Sequence, residues 1–186
     1  MSDTTARATE LLAKLMKYQS IKYVTVPISW IFKPITYLIL RIPSLKVIRI
    51  YYDIKELERK EKFEEAENMR MEGLNTIPFR HTGPLLFSQG NDLLYRRKEY
   101  RKALEAFENA IEIGIYPLVD PVQIYYGASS AALLTGNHMK AKKYYNEILK
   151  WIDFYKSEPK LKSYFETYYE NHEGIRWLEQ NIQIHI

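Results

Sequence analysis

The sequence predicts an all-α protein built from consecutive helix–turn–helix units. Apolar residues recur at helical spacing along most of the 186 residues. Three segments repeat the same order of small and aromatic residues, with marker alanines 37 and 38 positions apart. Two further helical patterns follow the last of these segments. Together, these observations predict a repeat domain over residues 44–186, preceded by an apolar helical arm over residues 1–43.

The arm begins with a predicted amphipathic helix over residues 3–18. Asp3 or Thr4 can cap this helix, and leucines with Ala8 and Met16 form an apolar stripe on one side. These first residues are polar and mixed, so the sequence predicts no secretory signal.

Residues 23–42 form the most hydrophobic stretch and are about as long as a membrane span requires. However, Pro27, Lys33 and Pro34 interrupt it, and a mid-span charge and a helix-breaking proline argue against a clean span. We expect two short apolar helices that lie in a membrane interface or insert through residues 21–42. The predicted membrane contacts are Trp30, Ile31, Phe32, Lys33, Tyr37 and Leu38. The alternative is that this stretch packs on the repeats as core.

Positive charge is concentrated in the arm. Residues 1–50 carry eight Lys or Arg against two acids, a net charge of +6, whereas the whole chain has a net charge of +4. The remaining residues are therefore slightly acidic. A basic, apolar segment on a near-neutral body predicts contact with an anionic surface, and its hydrophobicity favours lipid over nucleic acid.

The three matching segments are residues 62–78, 99–114 and 138–153, and a predicted helix precedes each of them (45–59, 84–97 and 121–135). Their marker residues are Ala66, Ala103 and Ala141. Such small side chains let paired helices approach closely, so we expect these alanines to be buried. One unit cannot bury its apolar face alone, which means that neighbouring units must stack.

These segments resemble the tetratricopeptide repeat. The residues at the family's signature places are Leu57, Phe63, Ala66, Gly73 and Pro78 in the first unit, Gly90, Leu94, Tyr100, Ala103, Phe107 and Ala110 in the second, and Ser129, Gly136, Ala141 and Tyr145 in the third. The resemblance implies a right-handed α-solenoid with repeats over about 45–78, 84–116 and 121–153. Three departures stand out: Glu61 at a turn where glycine is usual, Arg70 where an aromatic is usual, and one extra residue between Gly90 and Ala103.

Residues 159–183 predict two C-terminal capping helices, with Pro159 in the first turn of the first helix. Their apolar residues are expected to seal the last repeat: Leu161, Phe165, Ile175, Trp177 and Leu178.

The family resemblance also implies a concave groove lined by the first helix of each unit. Carried over to this sequence, it places the peptide-binding groove at Tyr51, Tyr52, Lys55, Arg59, Asn91, Tyr95, Gln123, Tyr126 and Ser130. Tyrosine rings offer contact area, and amides can pair with a peptide backbone. A clamp for an acidic chaperone C-terminus is not expected, because Gln123 and Gly127 stand where that clamp needs cations.

The sequence predicts neither a catalytic nor a metal site, and no cofactor. It contains no cysteine, its four histidines are scattered, and no phosphate-binding loop or nucleophile elbow occurs. We therefore expect a protein that is not an enzyme. Nucleic-acid binding is not expected either, because the repeats themselves are net acidic.

The predicted function is that of a non-catalytic adaptor or scaffold, in which the groove binds a partner protein or peptide and the arm meets a membrane lipid surface. Two alternatives remain open: a chaperone for secreted or membrane proteins, and a groove occupied by the chain's own arm. The expected location is cytoplasmic and membrane-associated, through peripheral contact or insertion of residues 21–42. Oligomeric state, a homo-oligomer included, is left open.

Overall fold

The computed structural model describes residues 43–114 and 119–184, and all regular structure in these ranges is helical. The eight α-helices are α1 (Pro43–Arg59), α2 (Phe63–Thr76), α3 (Gly83–Asn91), α4 (Tyr100–Ile113), α5 (Pro121–Leu134), α6 (His138–Ser157), α7 (Lys162–Tyr168) and α8 (Glu173–Ile184). A short 3₁₀ turn (Phe79–His81) precedes α3, and a π-helical segment (Asp92–Arg97) continues it. This confirms the all-α prediction. The predictions for the arm fall on residues 1–42, outside the described ranges.

Helices α1–α2, α3–α4 and α5–α6 form three helical hairpins with the same turn. In each turn, the residue five positions before the marker alanine has a positive φ: 59° at Glu61, 59° at Lys98 and 76° at Gly136. The three turns therefore occupy the same position relative to the marker alanines. Glu61, which departs from the glycine expected there, takes the left-handed conformation that glycine adopts most readily.

The π-helical segment absorbs the extra residue of the second unit. In the first and third turns, a backbone N–H reaches five residues back, from Lys62 to the Leu57 carbonyl (2.9 Å) and from Asn137 to the Ala132 carbonyl (2.8 Å). In the second turn, the Glu99 N–H reaches six residues back, to the Leu93 carbonyl (2.8 Å). A wider helical turn therefore accommodates one more residue without changing the turn itself.

The close helix contacts lie where the sequence predicts them. Ala66, Ala103 and Ala141 are all buried. A Cβ atom added at Gly90 would lie 2.6 Å from the Phe107 ring, and one added at Gly127 would lie 2.5 Å from it. The two glycines thus leave the space that the Phe107 ring fills.

The C-terminal helices cover the last hairpin: α7 packs on α6, and α8 packs on both α5 and α6. Phe165, Ile175 and Leu178 are buried, as expected. Trp177 is a correction, because its side chain is 39% exposed. The buried stripe of α8 runs through residues 175, 178 and 182, and position 177 lies off that stripe.

The start of α7 also differs from the prediction. Pro159 lies in the turn before this helix, which begins at Lys162. The backbone N–H groups of Leu161 and Lys162 both bond to the Glu158 carbonyl, at 2.9 and 3.1 Å. This turn ends α6 at Ser157 and delays the next helix by three residues.

Candidate binding groove

A cavity of about 520 Å³ lies along the first helices of the three hairpins. We call it the groove. Five of the nine predicted groove residues line it together: Lys55 from α1, Asn91 and the adjoining Tyr95 from α3 and its π-helical extension, and Gln123 and Tyr126 from α5. Its volume is in the range of cavities that hold ligands.

Tyr51 is a correction to the predicted groove. Its side chain is only 8% exposed and belongs to the hydrophobic core. Burial, and then the neighbouring Tyr52 and Glu58, raises the pKa of Tyr51 to about 12. The Tyr51 ring packs in the core instead of facing a ligand, and the Lys55 ammonium lies 5.8 Å from the ring centre.

Three other predicted residues also lie away from the groove lining. Ser130 is buried, because α5 turns this small side chain toward the protein interior, so it too is corrected to a core position. Tyr52 and Arg59 are exposed but do not line the cavity. Arg59 instead donates two hydrogen bonds to the Glu56 carboxylate, at 2.9 and 2.8 Å.

One end of the groove is charged. Lys55 pairs with Glu58 (3.3 Å), and Glu58 also accepts a hydrogen bond from Arg70 (2.7 Å). Arg70 is 1% exposed and pairs in addition with Glu67. These contacts join α1 to α2. Glu58, which makes two of them, also lines the groove.

The pairing continues from α2 to the segment after α3. Glu67 pairs with Arg97 (3.0 Å), Arg97 with Asp92 (2.7 Å), and Asp92 with Arg96 (2.5 Å). The seven groups alternate in charge, and we call them the charge chain: Lys55, Glu58, Arg70, Glu67, Arg97, Asp92 and Arg96. Both terminal groups, Lys55 and Arg96, line the groove.

Asp92 is nearly buried, with 6% of its side chain exposed. Burial alone would raise the pKa of its carboxyl group. The hydrogen bond from Arg96 and the positive charges of Arg70, Arg96 and Arg97 outweigh burial and hold the Asp92 pKa below its ordinary value. Asp92 is therefore an ionised, fixed part of the groove wall.

The other end of the groove is aromatic and is closed by the C-terminal helices. Tyr168, Tyr169, His172 and Ile175 line it together with Tyr126. The His172 imidazole meets the Tyr126 ring edge-on, with 5.5 Å between ring centres. Gly174 permits this approach, because a Cβ atom there would lie 2.4 Å from the Tyr126 hydroxyl oxygen.

Asp120 fastens this aromatic end to the last hairpin. Its carboxylate caps α5 by accepting the Val122 N–H (2.8 Å), and it accepts hydroxyl hydrogen bonds from Tyr155 (3.1 Å) and Tyr164 (2.6 Å). Burial, and then Asp120, raises the pKa of Tyr164, so this hydroxyl remains a donor at neutral pH. The aromatic wall is thus held by α5, α6 and α7 together.

Sequence reasoning did not assign Tyr168, Tyr169 and His172 to the groove. The signal available was the tyrosine-rich composition, with 16 tyrosines in the chain. Composition does not indicate which tyrosines return to the groove, because that contact depends on how the C-terminal helices fold back.

The described residues contain no group of three or more His, Cys, Asp or Glu placed to hold a metal ion. Among the described helices, none is sufficiently long and apolar to cross a membrane. The predicted membrane contacts at residues 30–33, 37 and 38 lie outside the described ranges.

Comparisons with protein-family models, curated proteins and solved structures gave no match.

Proposed function

We propose that this chain is a non-catalytic scaffold of tetratricopeptide-like repeats that binds a segment of a partner protein in its groove. The main supporting observation is that one cavity gathers residues from the first helices of all three hairpins. The same turn geometry at Glu61, Lys98 and Gly136 supports the repeat assignment.

The groove lining suits a peptide. Asn91 and Gln123 carry amide groups that can donate to and accept from a peptide backbone. Tyr95 and Tyr126 offer rigid rings with a polar tip, which give contact area at low entropic cost. This combination favours a protein segment over a small metabolite.

The state of the groove carboxylates also supports binding over catalysis. Glu58 lies between Lys55 and Arg70, and Asp92 lies between Arg96 and Arg97. The lowered pKa of Asp92 makes its carboxylate a weak proton acceptor, so Asp92 does not suit the role of a general base.

Site-specific photo-crosslinking tests the binding role. A benzophenone amino acid at Tyr95, which is 57% exposed on the groove, should crosslink a partner in cells. The same group at Met139, 86% exposed and outside the groove, is the control. Equal capture at both positions would contradict the proposal. A crosslink from Tyr95 to residues 1–42 of the same chain would favour the alternative in which the arm occupies the groove.

We further propose that residues 1–43 place the scaffold at a cytoplasmic membrane surface. The support is the net charge of +6 over residues 1–50 and the apolar run over residues 23–42. Charge attraction fades with salt, whereas apolar burial does not. The full chain should therefore float with phosphatidylserine vesicles, less at high salt but still measurably.

A double substitution separates the two contributions. Trp30→Asp with Phe32→Asp should remove the salt-resistant part of vesicle binding. If the unchanged chain ignores the vesicles at low salt, the alternative that residues 21–42 pack on the repeats as core is favoured.

A further inference from the structure

We propose that the groove selects a segment in which an acidic side chain lies beside apolar or aromatic side chains. This inference rests on the proposed peptide-binding function and specifies its ligand. It follows from the charge chain, which holds four cations and three carboxylates and therefore has one unbalanced positive charge.

The positions of the cations matter as much as their number. The charge chain alternates in sign, and its first and last groups are cations. Each of its three carboxylates therefore contacts two cations. The two terminal cations, Lys55 and Arg96, contact one carboxylate of the chain each. Both side chains are 40% exposed, and both line the groove. Lys55 or Arg96 can therefore pair with an incoming carboxylate at this wall, which Glu58 and Asp92 also line.

The terminal cations are also dispensable for the internal pairing. Without Lys55, Glu58 keeps its 2.7 Å contact with Arg70, and without Arg96, Asp92 keeps its 2.7 Å contact with Arg97. Removing either one leaves no buried carboxylate without a cation. Interior cations of the charge chain, such as Arg70, stabilise the fold. Lys55 and Arg96 remain able to pair with a ligand.

The remainder of the groove defines the neighbouring ligand positions. Tyr126, Tyr168 and Ile175 form an apolar and aromatic wall, and Phe87 contributes from α3. Such a wall suits leucine or aromatic side chains. The amides of Asn91 and Gln123 suit a peptide backbone, so we assign the carboxylate to a protein segment and not to a lipid headgroup.

Selection of short random peptides displayed on phage, against the purified full chain, tests the inference. Enriched peptides should carry Asp or Glu next to Leu, Phe, Tyr or Trp. A synthetic copy of the most enriched peptide should bind about tenfold more tightly than the same peptide with Asn or Gln at its acidic positions. Raising the salt concentration should reduce this difference.

Variants assign the effect to the two cations. The double variant Lys55→Gln with Arg96→Gln should bind the synthetic peptide about tenfold more weakly than the parent and still unfold cooperatively, because Glu58 keeps Arg70 and Asp92 keeps Arg97. Arg59→Gln is the matched control for the loss of one charge. Arg59 is likewise one of two cations on a single carboxylate, because Glu56 also pairs with Lys60 (3.1 Å), but Arg59 lies outside the groove. This control should bind as the parent does.

The outcomes separate this inference from the proposed function. Peptides that compete with the crosslink at Tyr95 but show no acidic preference would overturn the inference and leave the binding role intact. Unchanged affinity in the double variant would do the same. Retention of no peptide, with phosphatidylserine vesicles bound through Lys55 and Arg96 instead, would overturn both.

Discussion

The first and second hairpins fill the same interior position with opposite chemistry. Four residues after the marker alanine, the second hairpin has Phe107, a fully buried ring seated against Gly90 and Gly127. The first hairpin has Arg70 there, 1% exposed, which contacts Glu58, Glu67 and the Ser88 hydroxyl oxygen (3.3 Å). Each side chain joins its own hairpin to the next one along the sequence.

The difference shows that one backbone plan accommodates either an apolar contact or a charge-paired one. A ring gains from burial itself, whereas a buried guanidinium requires carboxylates around it. Those carboxylates belong to the charge chain, which extends from the interior of the first hairpin to the groove wall. The second hairpin contributes Phe87 to the groove lining, and both hairpins contribute charge to it: Lys55 and Glu58 from the first, and Asp92 and Arg96 from the second.

The largest expected effect is the loss of the apolar contact. Phe107→Ala removes a fully buried ring that touches two other helices, so the free energy of unfolding should fall by about 3–5 kcal/mol. Urea unfolding followed by circular dichroism measures this change. A loss below about 1 kcal/mol would contradict the packing described here.

The charge-paired contact should be less costly to remove. Arg70→Met keeps the length and apolar stem but not the charge, while Glu58 retains Lys55 and Glu67 retains Arg97. We expect a loss of about 2 kcal/mol in unfolding free energy, the scale of hydrogen bonds to charged groups. The same urea experiment applies. Arg59→Gln is the control, since it removes an exposed cation from the same hairpin and should change stability little.

Acid sensitivity offers a smaller contrast, at the contact between the second and third hairpins. Glu108 on α4 accepts hydrogen bonds from the Lys140 ammonium (2.6 Å) and the Tyr144 hydroxyl (2.7 Å) on α6. Burial would raise the pKa of Glu108, but these two bonds and the charges of Lys140 and Lys143 lower it. Since the folded pKa is depressed, this stabilisation is present above the unfolded pKa, near 4.5, and is lost as pH falls through the folded pKa.

Glu108→Gln should accordingly lose about 1 kcal/mol of unfolding free energy at pH 7 and become similar to the parent in strong acid. Paired urea unfolding experiments at pH 7 and at low pH measure this convergence. Glu105→Gln, an exposed change on the same helix, is the control. If Glu108→Gln lost the same unfolding free energy at both pH values, the ionised Glu108 carboxylate would not be the source of the stabilisation.

The smallest effect concerns the turns. Glu61 adopts φ 59°, which strains a side-chain-bearing residue, whereas Gly136 adopts φ 76° without strain. Glu61→Gly should stabilise the chain by about 0.5–1 kcal/mol, because the relief of strain exceeds the added entropy of the unfolded chain. Gly136→Ala should destabilise it by a similar amount. Melting curves of the two variants should shift in opposite directions, and a shift in the same direction would contradict the shared turn geometry.

Local patterns predicted much of this fold. The spacing of Ala66, Ala103 and Ala141 located the buried contacts and the three turns, because helix pairing imposes the same small residues at each repeat. The sequence showed that Glu61 and Arg70 depart from the family pattern, but it did not show how the structure accommodates them. The turn geometry shared by the three hairpins imposes the left-handed conformation on Glu61, whereas the buried guanidinium of Arg70 depends on carboxylates that lie outside the repeat pattern.

The groove was predicted in part for a related reason. Lys55, Asn91, Tyr95, Gln123 and Tyr126 follow from their places on the first helices of the hairpins. Tyr51 and Ser130 lie close to these residues along their helices, and a small rotation of a helix decides between groove and core. The aromatic end also depends on how α7 and α8 fold back, which Asp120 fixes through hydrogen bonds across 35 and 44 residues of sequence.

Filling the groove tests the central claim most directly. Gln123→Trp places a large side chain at an exposed position on the groove wall, and Met139→Trp makes the same change at an exposed position outside it. The measured quantity is the dissociation constant of the partner segment identified by the crosslink at Tyr95. We predict at least about tenfold weaker binding for Gln123→Trp and parental binding for Met139→Trp. Parental binding by both variants would contradict the groove as the binding surface.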